Sequence, residues 1–235
     1  MASWSRRLVL GSLLVSLSAC TPEAPDAQGR EIEGLYNFFS VLAAIVFVIT
    51  AGLIAWSLIR YRRKPGDDSL PKQFHSNVPI ELVWFAIPQI IVVVLFFISI
   101  RSLNVVDEQA ADPGVTVRVQ GFQWGWRFTY EDEDVVVEGT AQDEPEIVLP
   151  TDEQVAFVLT SDDVIHSFYV PRFLMKRDAI PGRENRFDVT IEEEGLYDGK
   201  CAEFCGVLHG EMNFTVRALD GPGFEDWITE QQGAE

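Results

Sequence analysis

Twelve consecutive residues, Cys201-Ala-Glu-Phe-Cys-Gly-Val-Leu-His-Gly-Glu-Met212, hold two of the chain's three cysteines, one of its three histidines and one of its three methionines. Two thiolates, an imidazole and a thioether are soft to borderline donors, a set that suits copper. A structural zinc site closes with cysteine and histidine and has no use for Met212. A blue-copper site takes one cysteine, two histidines and a weak axial methionine, so this stretch has one thiolate too many for it. Thiolates four residues apart, Cys201 and Cys205, can each bridge two ions, and a dinuclear copper centre fits the donor count better. Such a centre needs a second imidazole beside His209. The candidate is His166, in Asp162-Asp-Val-Ile-His-Ser-Phe-Tyr-Val-Pro171. Glu203 lies between the cysteines, where its backbone carbonyl could reach one ion. The ordinary use of two cysteines in an exported domain is a disulfide, but that reading leaves His209 and Met212 unexplained.

The elements that must position these residues are strands. Val115 to Val119 alternates apolar and polar, and Val135–Val137, Glu146–Leu149, Val155–Thr160, Phe187–Ile191 and Asn213–Leu219 continue the pattern between turn signals. Short strands at this spacing predict a β-sandwich or barrel, with a short terminal helix over Phe224–Gln231. Upstream, Leu35 to Ile59 is 25 residues without a charge, and Ile80 to Ile100 is 21 residues with Glu81 near its start and Pro88 inside. About 20 apolar residues span a bilayer, so both read as transmembrane helices. The connecting loop, 60–79, carries Arg60, Arg62, Arg63, Lys64 and Lys72 against Asp67 and Asp68, which places it in the cytoplasm. The hairpin then has both ends outside.

The first residues agree with that topology. Arg6-Arg7, an apolar run from Leu8 to Ala19 and small residues form an export signal. Leu17-Ser-Ala-Cys20 resembles a bacterial lipoprotein cleavage box, which implies lipid on Cys20. The expected organisation is a signal over 1–19, an outer segment over 20–34, a membrane hairpin over 35–100 and an outer β domain over 101–235. Charge follows the same division. The first 106 residues hold 7 acidic and 9 basic groups, whereas residues 107–235 hold 29 acidic and 9 basic. An acidic domain argues against nucleic acid as a partner and is compatible with a basic protein partner.

The metal motif, preceded by Asp-Val-Ile-His166 and Asp178-Ala-Ile-Pro-Gly-Arg183, resembles subunit II of the haem-copper cytochrome c oxidases, over about Leu35 to Trp227. The resemblance implies a cupredoxin-type Greek-key sandwich behind the two-helix hairpin. It implies two copper ions held by His166, Cys201, the Glu203 carbonyl, Cys205, His209 and Met212, and a magnesium ion on the Glu203 carboxylate, shared with subunit I. In Gly121-Phe-Gln-Trp124-Gly-Trp126, Trp124 matches the tryptophan at which electrons from cytochrome c enter. Gly125 and Phe122 depart from the family's usual tyrosine and histidine. Aromatics at alternate strand positions are otherwise ordinary core packing. Asp162 and Asp163 match positions of the cytochrome c docking face. Glu81 matches a glutamate at the mouth of a proton path into subunit I; by composition alone it snorkels to water.

The implied function is that of the subunit through which electrons reach the oxidase, with haem-bearing subunit I, subunit III, membrane lipid and cytochrome c as partners. The resemblance places oxygen reduction and most proton pumping in subunit I. No Cys-x-x-Cys-His occurs, so no c-type haem is attached. A quinol-oxidase-type subunit II would share the architecture but lack the copper ligands. A membrane copper-binding protein without electron transfer, or the copper domain of a nitrous oxide reductase, would share only parts of it.

Overall fold

The computed structural model describes residues 23–63, 65, 66, 70 and 72–233. The expected export signal and Cys20 lie outside the described residues. Two compact units are present, one over Gly34–Leu103 and one formed by the β domain from Asn104 onward with the described residues before Gly34.

The membrane unit is built on α1 (Ala27–Arg60) and α2 (Val78–Val106). Both helices are apolar on every side, with Phe47, Leu58, Trp84 and Phe97 all largely exposed. A water-soluble helix would reserve a polar face; these surfaces are solvated by lipid. Both helices outrun their charge-free stretches because their ends are capped in a polar medium. Asp26 accepts the Gly29 amide through Oδ2 at 2.7 Å, and Glu81 Oε1 accepts the Asn77 amide at 2.8 Å. Pro88 is accommodated within α2.

The second unit is a sandwich of two five-stranded sheets, ordered β3-β2-β1-β5-β8 and β4-β10-β9-β6-β7. The strands are β1 (Val115–Phe122), β2 (Gly125–Tyr130), β3 (Val135–Thr140), β4 (Glu146–Pro150), β5 (Gln154–Ser161), β6 (His166–Val170), β7 (Met175–Ala179), β8 (Asn185–Thr190), β9 (Gly195–Cys201) and β10 (Asn213–Leu219), followed by α3 (Gly221–Gly233). β1 runs parallel to β5 and β4 parallel to β10; the other pairs are antiparallel. Neighbours distant in sequence thus meet inside each sheet, as in a Greek key. Alternation in β1 buries Val115, Val117 and Val119, as its pattern predicts.

Between the sheets lies an aromatic core. Phe168 stacks on Phe214 with ring centres 4.6 Å apart, and Trp126 meets Phe168 and Phe214 edge-on. Tyr130 is fully buried, and its hydroxyl donates to the Val148 carbonyl at 2.7 Å, joining the two sheets. Burial raises its pKa well above the ordinary tyrosine value.

Two segments outside the strands are tied to the sandwich. Residues before α1 and its first turn lie along the end of β8: Asp26 bridges Ile191, Glu192 N donates to Pro25 O at 2.8 Å, and Arg30 in α1 pairs with Glu192. Residues ahead of β1 are held by Asp188, which is fully buried and accepts from Ala110 N at 2.7 Å and Arg186 Nε at 3.1 Å.

Candidate metal centre

The donors gather at one end of the sandwich. His166 opens β6, Cys201 closes β9, and Cys205, His209 and Met212 occupy the loop from β9 to β10, which includes a 3-10 turn at His209–Glu211. The loop is closed at its base, where Cys201 N donates to Met212 O at 3.0 Å. Ala202 N donates to Ser167 O at 3.0 Å, which sets β6 beside it. The long sequence gap between His166 and Cys201 is bridged by the β6–β9 pairing, with Phe168 opposite Cys201.

Both thiols are unpaired and buried. Their sulfurs are 3.8 Å apart, far beyond a disulfide bond of about 2.05 Å. Tetrahedral sulfur ligands about 2.3 Å from one metal would stand about 3.8 Å from each other, so the spacing fits thiolates that share an ion. The other donors divide between the two sulfurs. Cys201 Sγ has His166 Nδ1 at 3.9 Å and the Glu203 carbonyl at 3.3 Å. Cys205 Sγ has His209 Nδ1 at 3.7 Å and Met212 Sδ at 3.8 Å. His166, Cys201 and Cys205 alone place three metal-binding atoms within 4.8 Å of one another. The donor set is therefore an imidazole and a weaker ligand beside each of two adjacent sulfurs.

Electrostatics prepare the site for metal. Burial opposes charge on Cys201, but hydrogen bonds from His166 and nearby backbone outweigh it and lower its pKa. Burial and the negative charge of Cys201 raise that of Cys205. For His166, burial again opposes charge, and bonds to Cys201 and Asp163 more than offset it, raising its pKa. Without metal, negative charge on one sulfur opposes it on the other, and the imidazole and backbone donors favour it on Cys201. A cation that accepts both thiolates removes the conflict between the sulfurs.

Other expected site residues fall as follows. Trp124 sits in the β1–β2 turn, and its Nε1 donates to the Cys205 carbonyl at 3.1 Å. Gly206, at φ +125°, lets the loop pass under the Trp124 ring. A Cβ at residue 125 would lie 2.3 Å from the Gly139 carbonyl on β3 and 2.7 Å from Phe122 Cζ, so strand backbone and the Phe122 ring together leave it no room. Asp162 faces outward beside Arg127 Nη1 at 3.7 Å. Asp163 turns inward, where its carboxylate meets His166 Nε2 at 2.9 Å. The Glu203 carboxylate points away from the sulfurs and lies 3.5 Å from Lys176 Nζ. Glu81 belongs to the membrane unit and caps α2.

Sequence reasoning missed three supports of the site. Gly121 lies against the imidazole, where a Cβ would come within 2.9 Å of the His166 ring. Gln123 Nε2 donates to the Cys205 carbonyl at 2.7 Å. Trp126 is wholly buried and reaches Met212 O through Nε1 at 3.4 Å. The signal available for them was their closeness to Trp124 on an aromatic strand.

Fold and site together define a membrane-anchored cupredoxin-type protein with a thiolate-rich centre. Residues 16–105 match the transmembrane-domain model of cytochrome c oxidase subunit II, and residues 138–219 match its periplasmic-domain model. Cytochrome c oxidase subunit 2 of Alkalihalophilus pseudofirmus is 34% identical over 95% of this chain and 67% of its own length. A probable cytochrome c oxidase subunit 2 of Nocardia farcinica is 31% identical over 91% of this chain and 74% of its own. The crystal structure of the periplasmic domain of subunit II of Bradyrhizobium japonicum cytochrome oxidase superposes with a TM-score of 0.50, at 28% identity, over 54% of this chain and 99% of that one. The chain belongs to the cytochrome c oxidase subunit II family.

Proposed function

We propose that electrons from a reduced cytochrome c enter this chain near Trp124 and pass to haem in subunit I by way of a two-copper centre. The chain is the electron-accepting subunit of a haem-copper oxidase, an oxidoreductase complex. His166, Cys201, the Glu203 carbonyl, Cys205, His209 and Met212 would hold the copper. Bound there, copper supplies a one-electron redox centre. The observation that carries this reading is the division of donors around two unpaired sulfurs 3.8 Å apart.

The protein's own contribution is rigidity. His166 and Cys201 are fixed by strand pairing, and Met212 is anchored at the start of β10 through the Cys201–Met212 backbone bond. A donor set that moves little between redox states keeps the reorganisation cost low. Trp124 is linked to Cys205 through one hydrogen bond, which gives incoming charge a short connection to a ligand residue. The acidic surface, including Asp162, attracts a basic partner.

The same reading extends to parts away from the copper ligands. The Glu203 carboxylate takes magnesium at the junction with subunit I, which requires Lys176 to give way. Glu81 stands at the mouth of a proton path into subunit I. Subunit III completes the core of the complex. The loop 60–79 is cytoplasmic, the β domain is on the outer face, and Cys20 carries lipid after removal of the signal.

The test is copper content and the visible spectrum of the full chain in detergent. Two copper ions per chain, with thiolate-to-copper bands that vanish in Cys205→Ser, are the expected result. Absence of copper after reduction and loading would overturn the reading.

A further inference from the structure

Asp162 and Asp163 are adjacent acids on one turn, yet their carboxylates face opposite ways. Asp162 is directed to Arg127 and to Gln120, whose Nε2 donates to it at 3.3 Å. Asp163 is directed inward, and each of its oxygens is occupied. Oδ1 meets His166 Nε2 at 2.9 Å and accepts its neighbour's Val164 amide at 2.6 Å. Oδ2 accepts the Gln123 amide at 2.7 Å. The turn itself is braced, because Ser161 Oγ accepts Asp163 N at 3.3 Å and donates to Val164 O.

These contacts join two parts of the site that share no strand neighbour in sequence. His166 presents Nδ1 to Cys201 Sγ. If Nδ1 is the ligand atom, it must be bare, so the ring proton sits on Nε2 and is donated to Asp163. A carboxylate there fixes the tautomer and ring orientation and makes the imidazole a stronger donor to metal. The other oxygen holds the backbone of Gln123, whose side chain and whose neighbour Trp124 both donate to the Cys205 carbonyl. One carboxylate therefore braces a ligand ring and the turn that carries Trp124.

We propose that Asp163 is a positioning residue that locks the His166 imidazole and the Gln123–Trp124 turn to each other, so that a single side chain sets both the donor strength of one ligand and the placement of Trp124 over the Cys205 loop. This rests on the function proposed above and adds to it a role distinct from charge attraction at the surface. Asp162 supplies the control: it has the same charge and sits one residue away, and its side chain reaches Gln120 and Arg127 in place of a ligand or the Gln123–Trp124 turn.

The experiment compares Asp163→Ala, Asp163→Asn and Asp162→Ala in the full chain in detergent, with two readouts. The first is hydrogen exchange of the Gln123 amide and the Trp124 indole in the copper-free, reduced protein. The second is the reduction potential and copper hyperfine pattern of the copper-loaded protein. Asp163→Ala is expected to speed Gln123 exchange by about tenfold or more and to shift the potential upward, since a weaker imidazole donor favours the reduced state. Asp163→Asn separates the two links. The His166 Nε2–H draws the oxygen of the substituted amide to its own side, so the amide NH2 opposes the Gln123 amide; exchange accelerates while the hyperfine pattern stays close to wild type. Asp162→Ala leaves both readouts unchanged. Asp163→Ala behaving as Asp162→Ala does in both would overturn the proposal. The exchange measurement needs no copper, so failure of the wild-type chain to load metal would count against the proposed function alone.

Discussion

His166 and Asp26 are both ionisable, both fully buried, and served very differently. His166 has partners on both ring nitrogens, Cys201 on one and Asp163 on the other. Asp26 caps α1 through Oδ2, while its buried Oδ1 has no hydrogen-bond partner. At the donor end, buried polarity is paired and ready for a cation. Along the seam before α1, it is left half satisfied. The lesson is that burial alone does not decide what a polar group contributes; the partner count does.

The largest predicted effect is at the seam. Burial raises the Asp26 pKa from 3.8 to about 7, against the opposing pull of the Gly29 amide and the Arg30 charge, with Glu192 adding to the rise. The folded seam therefore holds a proton that the open chain has already released between those values. Its stability is fully present below about pH 3.8 and is lost as pH rises through 7. The full shift corresponds to about 4 kcal/mol at most. Hydrogen exchange at Thr190 N and Glu192 N, both bonded to the seam, should show faster opening at pH 8 than at pH 5 after correction for intrinsic rates. Asp26→Asn should flatten that dependence, and a flat wild-type profile would remove Asp26 from the comparison.

The next effect sharpens the donor end. His166→Ala opens a buried space in the sandwich and leaves Asp163 without its ring partner. A cost of about 2–4 kcal/mol in denaturant unfolding is expected. His209 sits on the loop and is only half-buried, so His209→Ala should cost less than about 1 kcal/mol. Equal costs would show that the two imidazoles are held alike. Gly121→Ala should follow at about 1–3 kcal/mol, because its Cβ would press on the imidazole. The visible spectrum of its copper-loaded form should change with it. The smallest effect concerns the surface: Asp162→Asn should slow association with a basic cytochrome c by a few-fold at low salt and not at high salt.

Much of this could be read from the residues. The metal loop carries its chemistry in one short stretch, and the two membrane helices advertise themselves by length and lack of charge. Five of the six strand runs named from alternation lie wholly in strands, and the sixth, Phe187–Ile191, overruns β8 by one residue. What escaped was carried by contacts distant in sequence. β7, with Lys176, Arg177 and Asp178, is a charged edge strand with no apolar alternation. β9 interleaves Gly195 and Gly199 with exposed Leu196 and Asp198, so it reads as loop until its pairing with β6 and β10 is known. Asp163 is indistinguishable from Asp162 in sequence; only the fold shows that one faces a ligand and the other faces water. The burial of Asp26 escaped for the same reason, since the residues that cover it come from the far end of the chain.

The parallel pairing of β4 with β10 has a consequence in time. β4 is the fourth strand and β10 the last, so one sheet stays unfinished until the final strand has been made. The donor loop lies between β9 and β10. Until β10 docks, Met212 has no fixed place and the loop has no closed base. Closure of the donor loop is thereby made a late event in the folding of the β domain, scheduled by its topology.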